Sequence, residues 1–228
     1  MALGDKEYKK VLEQSKILPE SDPRTKLVRR VGQDLAAVAE KPDFKWEFNV
    51  IDDDKTINAF CLPGGKVAVY TGIMAVAKTN DQLATVMGHE IGHALARHGG
   101  ERISQGLLTQ LGGSVVMAAV GGKDPKAQKA VAQAYGTGAQ VGVLLPFSRK
   151  HEEEADYIGL ILMAKAGHEP KAAKEFWENM DKTSSEKKGK DDPLAKFLST
   201  HPSHGKRIEN IAKWLPEADG YYQKSRKN

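Results

Sequence analysis

Residues 84–100 read ATVMGHEIGHALARHGG and hold His89, Glu90 and His93 in the order H-E-x-x-H. On a helix, residues four apart lie about 40° apart around the axis, so both imidazoles share one face. Two imidazoles so placed can bind one zinc ion, and Glu90 can take a proton from a water beside it. The plainer alternative is a helix with two unrelated histidines and a solvated glutamate. A catalytic zinc usually takes three protein ligands, so the rest of the chain has to supply one more.

The same motif does not supply it. His98 follows His93 by five residues and points about 140° away, and Gly99 stands where a third motif histidine would fall. His98 reads as a packing residue or as a partner of a ligand. The stretch HEEEAD, 151–156, is the better source. Glu152 and Asp156 share one face of a strongly helical segment, together with the small residues Ala155 and Gly159. Gly88 and Gly92 offer matching small residues on the first helix, so the two helices can approach closely. Glu152 then becomes the third ligand. Asp156, one turn on, accepts the free N–H of a zinc-bound imidazole and orients it. Glu153 and Glu154 read as a solvated acidic face.

The elements that must position these groups are legible along the chain. DKEYKKVLEQSKI is a short amphipathic helix. SDPRTKLVRRVGQDLAAVAEK is a longer one, with Asp22 as N-cap, Pro23 at the first helical position and a stripe of Leu27, Val28, Val31 and Leu35. FKWEFNVID alternates Phe44, Trp46, Phe48 and Val50 as a strand does. INAFC and KVAVYTG read as two more strands around a turn at LPGG. Their short connections predict an antiparallel sheet. From residue 79 on the pattern is helical, and Thr79 with Gln82 forms a capping box. Residues 99–145, glycine-rich and apolar, are expected to be helical with breaks, and to cover the cleft by hinging at paired glycines. A strong helix ends at Gly167, another starts at Pro170, DKTSSEKKGKDD (181–192) reads as a polar surface loop, and HGKRIENIAKWL is the last helix.

Composition narrows the class. The chain has 228 residues, 40% hydrophobic and 28% charged, as a soluble globular protein does. Its net charge of +4 is spread along the chain with no block of five or more like charges, so nucleic acid is not implied as a partner. A single cysteine, Cys61, excludes an intrachain disulfide and a cysteine-based zinc cluster. MALGDKEYKK lacks a hydrophobic signal segment, and no stretch reaches the roughly 18–20 apolar residues of a spanning helix. The chain as given reads as soluble, with membrane proximity through a leader absent from this sequence as a further expectation. No linker divides it. The expectation is one α+β metallopeptidase domain over 1–228, mostly helical, with a small sheet beside the active-site helix: N-terminal helices in 1–42, the sheet in 43–72, metal-binding helices in 79–167 and a helical part in 168–228.

Four separated stretches, NAFCLPGGKVAVYTGIM, VMGHEIGHALARH, SRKHEEEADYIG and STHPSHGKRIENI, occur in the order found in a known family. Over residues 58–210 the chain resembles the gluzincin metallopeptidases that include the CAAX prenyl proteases and the HtpX-type, Oma-type and BepA-like proteases. It is most similar to the soluble BepA-like and Oma-like catalytic domains. The resemblance implies a zincin-like zinc endopeptidase with one Zn2+ per chain, His89, His93 and Glu152 as ligands and Glu90 as base. It also implies roles near the metal for His201 and Arg207. The histidine is either a plug on the metal or a donor to the substrate oxyanion. The resemblance further makes KVAVYTG an edge strand to which an extended substrate adds, with Asn58, Ala59, Phe60, Lys66, Val67, Ala68 and Val69 in the binding stretch. Such strand addition gives affinity with little sequence preference. By the same resemblance the work is quality control of extended or misfolded proteins in the cell envelope, periplasmic or at the outer membrane, with the cytoplasm as the alternative. The rival readings are an inactive relative that binds unfolded chains as a chaperone does, and a metal-free helical scaffold.

Overall fold

In the computed structural model the first helix, α1 (Ala2–Glu13), lies on a three-stranded sheet through Tyr8, whose hydroxyl donates to Val67 O at 2.5 Å. Asp22 caps α2 (Pro23–Val38) by accepting the Arg24 N–H at 2.8 Å, and Pro23 opens the helix with a φ already suited to it. Val28, Val31 and Leu35 are fully buried, as the apolar stripe predicts. The strands are β1 (Glu47–Ile51), β2 (Ala59–Leu62) and β3 (Lys66–Tyr70).

The sheet order is β1-β3-β2. β2 and β3 form an antiparallel hairpin, but β1 pairs with β3 in parallel, Glu47 opposite Lys66 and Ile51 opposite Tyr70. The sheet is therefore mixed, not antiparallel. The physical reason is that β2 does not pair with β1. It serves as part of the crossover, and the 52–65 connection is long enough for a parallel return. Alternation splits the sheet's two faces. Val67 and Val69 join the main core with α2, while Ala68 packs with Tyr8 and Ile51.

A short helix, α3 (Thr71–Val76), follows β3, and α4 (Asn80–Leu95) carries the H-E-x-x-H. Thr79 caps α4 by accepting the Gln82 N–H at 3.1 Å. Gln82 reaches back to the Lys78 N–H at 2.9 Å, one residue before the cap. The next helices are α5 (His98–Ala119), α6 (Pro125–Ala139) and α7 (Leu145–Lys165); of the stretch 99–145, residues 120–124 and 140–144 lie outside the described residues. Gly167, at φ +84°, closes α7, with the His168 N–H on Met163 O. The last three are α8 (Lys171–Glu186), α9 (Pro193–Thr200) and α10 (Gly205–Ser225).

Two of these exceed the sequence reading. α8 runs through 181–186, where a loop was expected, and Thr183 bonds back to Asn179 O as helical threonines do. α10 continues through Pro216, because Ala218 beyond it is fully buried and Tyr221 and Tyr222 pack on the core, which outweighs one missing N–H.

The structure describes residues 2–119, 125–139, 145–186, 193–201 and 205–227. Residues 187–192 of the expected loop and Pro202 lie outside them. The chain divides into two compact units, 1–96 with 153–228, and 97–152. The first holds the sheet and the main hydrophobic core. In the second, α5 and α6 pack through Tyr135, whose hydroxyl donates to Thr109 O at 3.0 Å beside Gly112 and Gly113.

α4 and α7 meet backbone to backbone. A Cβ on Gly92 would lie 2.8 Å from Ala155 O, and one on Gly159 would lie 2.7 Å from His89 N. Nothing larger than hydrogen fits at Gly159. Gly159→Ala is therefore expected to cost about 1–3 kcal/mol through overpacking and to lower zinc retention. Gly136→Ala, with open space around its site, should be neutral or slightly stabilising. Denaturant midpoints and metal content of the two variants check this, and equal behaviour would refute it.

Candidate metal centre

The close helix contact brings the chemistry-bearing side chains together. His89, Glu90 and His93 come from α4, Glu152 and Asp156 from α7, His201 from the residue after α9, and Arg207 from the first turn of α10. Each of His89, His93, Glu152 and His201 offers one ligand atom, and these atoms lie within 4.8 Å of one another. His89 Nε2 is 3.1 Å from His93 Nε2 and 3.1 Å from His201 Nδ1. Ligand nitrogens placed 2.0–2.1 Å from one tetrahedral ion stand about 3.3 Å apart, so the spacing suits a single small ion. Three imidazoles and one carboxylate are the donor set that zinc favours. His89 and Glu152 are buried, while His93 and His201 are partly so.

Asp156 fixes the imidazole of His89. Its Oδ1 lies 2.9 Å from His89 Nδ1 and accepts from Arg207 Nη2 at 2.6 Å, while Oδ2 meets Arg207 Nε at 2.5 Å. With Nδ1–H donating to the carboxylate, the lone pair of His89 is left on Nε2, which faces His93 and His201. Burial alone would push the Asp156 carboxyl up. The Arg207 guanidinium and the His89 bond outweigh it and hold the group below the usual carboxylate range. Asp156 thus stays an acceptor in a buried setting.

Glu90 is buried beside the group. Its Oε1 makes no hydrogen bond, and His201 Nε2 stands 3.5 Å away. A buried carboxylate oxygen without a bond is costly and is well placed to take a proton from a small molecule at the metal group. Cys61 on β2 senses the same charge, since burial first, and Glu90 second, push its thiol up.

Two aromatic residues were not singled out by the sequence. The Arg207 guanidinium lies 3.5 Å over the Trp177 ring, and Trp177 also meets His89 edge-on at 6.2 Å. Phe197 stacks on Trp177 and touches the His201 ring, with centroids 5.0 Å apart. α8 and α9 thereby put an aromatic shelf under Arg207, His89 and His201. In sequence, Trp177 reads as one more residue of the buried stripe Ala172, Ala173, Phe176, Met180, and nothing marks its second face.

The remaining expected residues are placed as follows. His98 is outside the metal group. It stacks on His151 at 4.1 Å, and His151 Nε2 pairs with Glu101 at 2.9 Å. Glu153 and Glu154 are exposed. Lys66, Val67, Ala68 and Val69 are on β3, which is paired on both sides. β3 is thus a central strand, and the edge expected there is displaced, because the hairpin inserts β3 between β1 and β2. Ala59 and Phe60 are on β2, the strand at the sheet's other margin, which packs against α4. Asn58 precedes β2, its carbonyl accepting from the Tyr70 N–H.

The chain is similar to known metallopeptidases. A family model described as Peptidase family M48 matches residues 22–215. The mitochondrial metalloendopeptidase OMA1 of Schizosaccharomyces pombe is 44% identical over 213 residues, which is 92% of this chain and 59% of that protein. The OMA1 of Saccharomyces cerevisiae is 34% identical over 99% of this chain and 66% of its own length. The beta-barrel assembly-enhancing protease of Escherichia coli is 30% identical over 79% of this chain and 37% of its own. The chain therefore spans less than two thirds of the length of these relatives.

Asp156→Ala is expected to lower zinc affinity about 10–100-fold, the usual cost of removing a carboxylate that orients a ligand imidazole. Competition with a chromophoric chelator measures it. Unchanged affinity would mean that His89 is held by something other than Asp156.

Proposed function

Because the chain belongs to peptidase family M48, whose members use zinc, we propose that it is a zinc-dependent metalloendopeptidase that hydrolyses peptide bonds in extended or misfolded protein chains. The observation that carries this reading is the buried Glu90 carboxylate beside His89, His93, Glu152 and His201. A pure binder of unfolded chains has no use for such an oxygen. In this reading His89, His93 and Glu152 hold the ion, and Asp156 orients His89. When bound, zinc supplies Lewis-acid polarisation of the scissile carbonyl and acidifies water. Glu90 takes the proton from the attacking water and passes it to the leaving amine. Arg207 keeps Asp156 ionised and in place.

His201 is read as a plug that would add its imidazole to the ligands holding the ion when no substrate is bound. The support is Nδ1, which stands as close to His89 Nε2 as His93 does. Extended substrate is proposed to add along β2, at Asn58, Ala59 and Phe60. That strand lies next to α4 and leaves its backbone groups on one side for pairing. Residues 1–228 are taken as one metallopeptidase domain, since the metal group draws on chain before and after 97–152. We also infer that the work is quality control of envelope proteins. The Escherichia coli relative is named for β-barrel assembly, while the OMA1 relatives are named mitochondrial. Among the described residues no helix is long and apolar enough to cross a membrane.

The deciding experiment pairs metal content with cleavage of casein. Glu90→Gln should keep zinc and the unfolding midpoint and lose cleavage, because an amide cannot accept the proton. Glu152→Ala should lose both zinc and cleavage, with Glu153→Ala and Glu154→Ala near neutral. Full turnover by Glu90→Gln would sink the mechanism.

The plug makes a separate prediction. His201→Ala should raise basal cleavage and weaken zinc retention. A loss of roughly 10²–10³ in kcat with zinc unchanged would instead make His201 an oxyanion donor.

A further inference from the structure

One buried side chain of α8 belongs to two settings at once. Trp177 is 2% exposed. Phe176 meets its ring edge-on with centroids 5.2 Å apart, and Phe197 stacks on it at 6.2 Å. These are the contacts of an ordinary core aromatic. Its other two neighbours are polar. The Arg207 guanidinium lies 3.5 Å from the ring centroid, and His89 approaches the ring at 6.2 Å. Arg207 donates to Asp156, whose Oδ1 lies 2.9 Å from His89 Nδ1. Indole, guanidinium, carboxylate and imidazole thus follow one another from α8 to the metal group.

A guanidinium is planar, so its edge and its face can be held separately. Asp156 holds the edge. An edge contact alone leaves the plane free to swing about the line to the carboxylate, and the carboxylate moves with it. A ring lying on the face removes that freedom. The attraction of a cation to an indole face is greatest when both are out of water, and Trp177 and Arg207 are both buried. Core filling alone does not ask for this. An aliphatic side chain in the same space would occupy the volume and offer Arg207 no face.

We propose that Trp177 is a positioning residue of the metal centre. Its ring fixes the plane of Arg207 and, through Asp156, the direction of His89 Nε2. The inference rests on the reading that His89 holds zinc. It adds a side chain from a helix that supplies none of the four candidate ligands.

The test is zinc affinity, measured by competition with a chromophoric chelator, beside the unfolding midpoint of the metal-free protein. Trp177→Met fills space and removes the ring. It should lower zinc affinity about tenfold, the lower end of what loss of a group supporting a ligand costs. Trp177→Phe keeps a ring face and should stay within about threefold of the parent. Phe176→Met is the control, since it removes a ring from the same core one position away. It should lower the midpoint and leave zinc affinity at the parent value. Parental affinity in Trp177→Met overturns the proposal. So do equal losses of affinity in Trp177→Met and Phe176→Met, which would make Trp177 a core residue and no more. A tenfold loss in Trp177→Phe also overturns it, whether or not Trp177→Met folds. A parent that binds no zinc removes the metal reading and this inference with it. The measurement needs no cleavage, so failure of the peptidase reading alone leaves it decisive.

Discussion

The approach of α4 to α7 is the constraint on which the site depends. Zinc-sized coordination needs nitrogen and oxygen atoms from two helices within a few ångströms of each other. Ordinary helix pairs stand 8–10 Å apart with side chains between them. Gly88, Gly92, Ala155 and Gly159 remove those side chains, so that Gly159 meets the backbone at His89 itself. A residue that touches the backbone of a proposed ligand sets that ligand's position more firmly than a side-chain contact would. The same contact brings Glu152 into the group of candidate ligand atoms and Asp156, one turn on, to His89 Nδ1.

Around that contact the molecule accepts an expensive electrostatic arrangement. Arg207, Asp156 and His89 are all buried, and taking such charges out of water costs more than a well-packed apolar cluster would. The return is orientation. A hydrogen bond and an ion-pair contact from Arg207, with one bond from His89, hold the carboxylate, and the Trp177 face under the guanidinium keeps Arg207 from turning away. Loss of any single member leaves the others buried and unmatched, so the trio acts as a unit and its parts are not additive.

Local rules of spacing and capping made much of this legible in sequence. The helical period gave the H-E-x-x-H face, the Glu152–Asp156 face and the small residues opposite one another, and the structure brings all of these together. Asp22, Pro23, Thr79 and Gly167 marked helix ends because each acts within its own turn. What escaped depends on distant partners. The strand order β1-β3-β2 is decided by which edge β3 enters, which no pattern within β3 records. α10 passes Pro216 because residues beyond it are buried by other helices. Trp177 and Phe197 matter through what lies across from them, and both look like ordinary core aromatics in their own helices.

His89 and His201 are 112 residues apart in the chain yet 3.1 Å apart in space. Closing a loop of that length is slow and entropically costly, and it cannot precede assembly of the elements between. The four residues of the metal group therefore converge only when α4, α7 and the end of α9 have all docked. A metal bound by that group stabilises the completed fold over every partly folded form, and adds to stability through its own concentration. An ion held by that group would serve as a clasp that closes last, and a chain misfolded between His89 and His201 would leave the group incomplete.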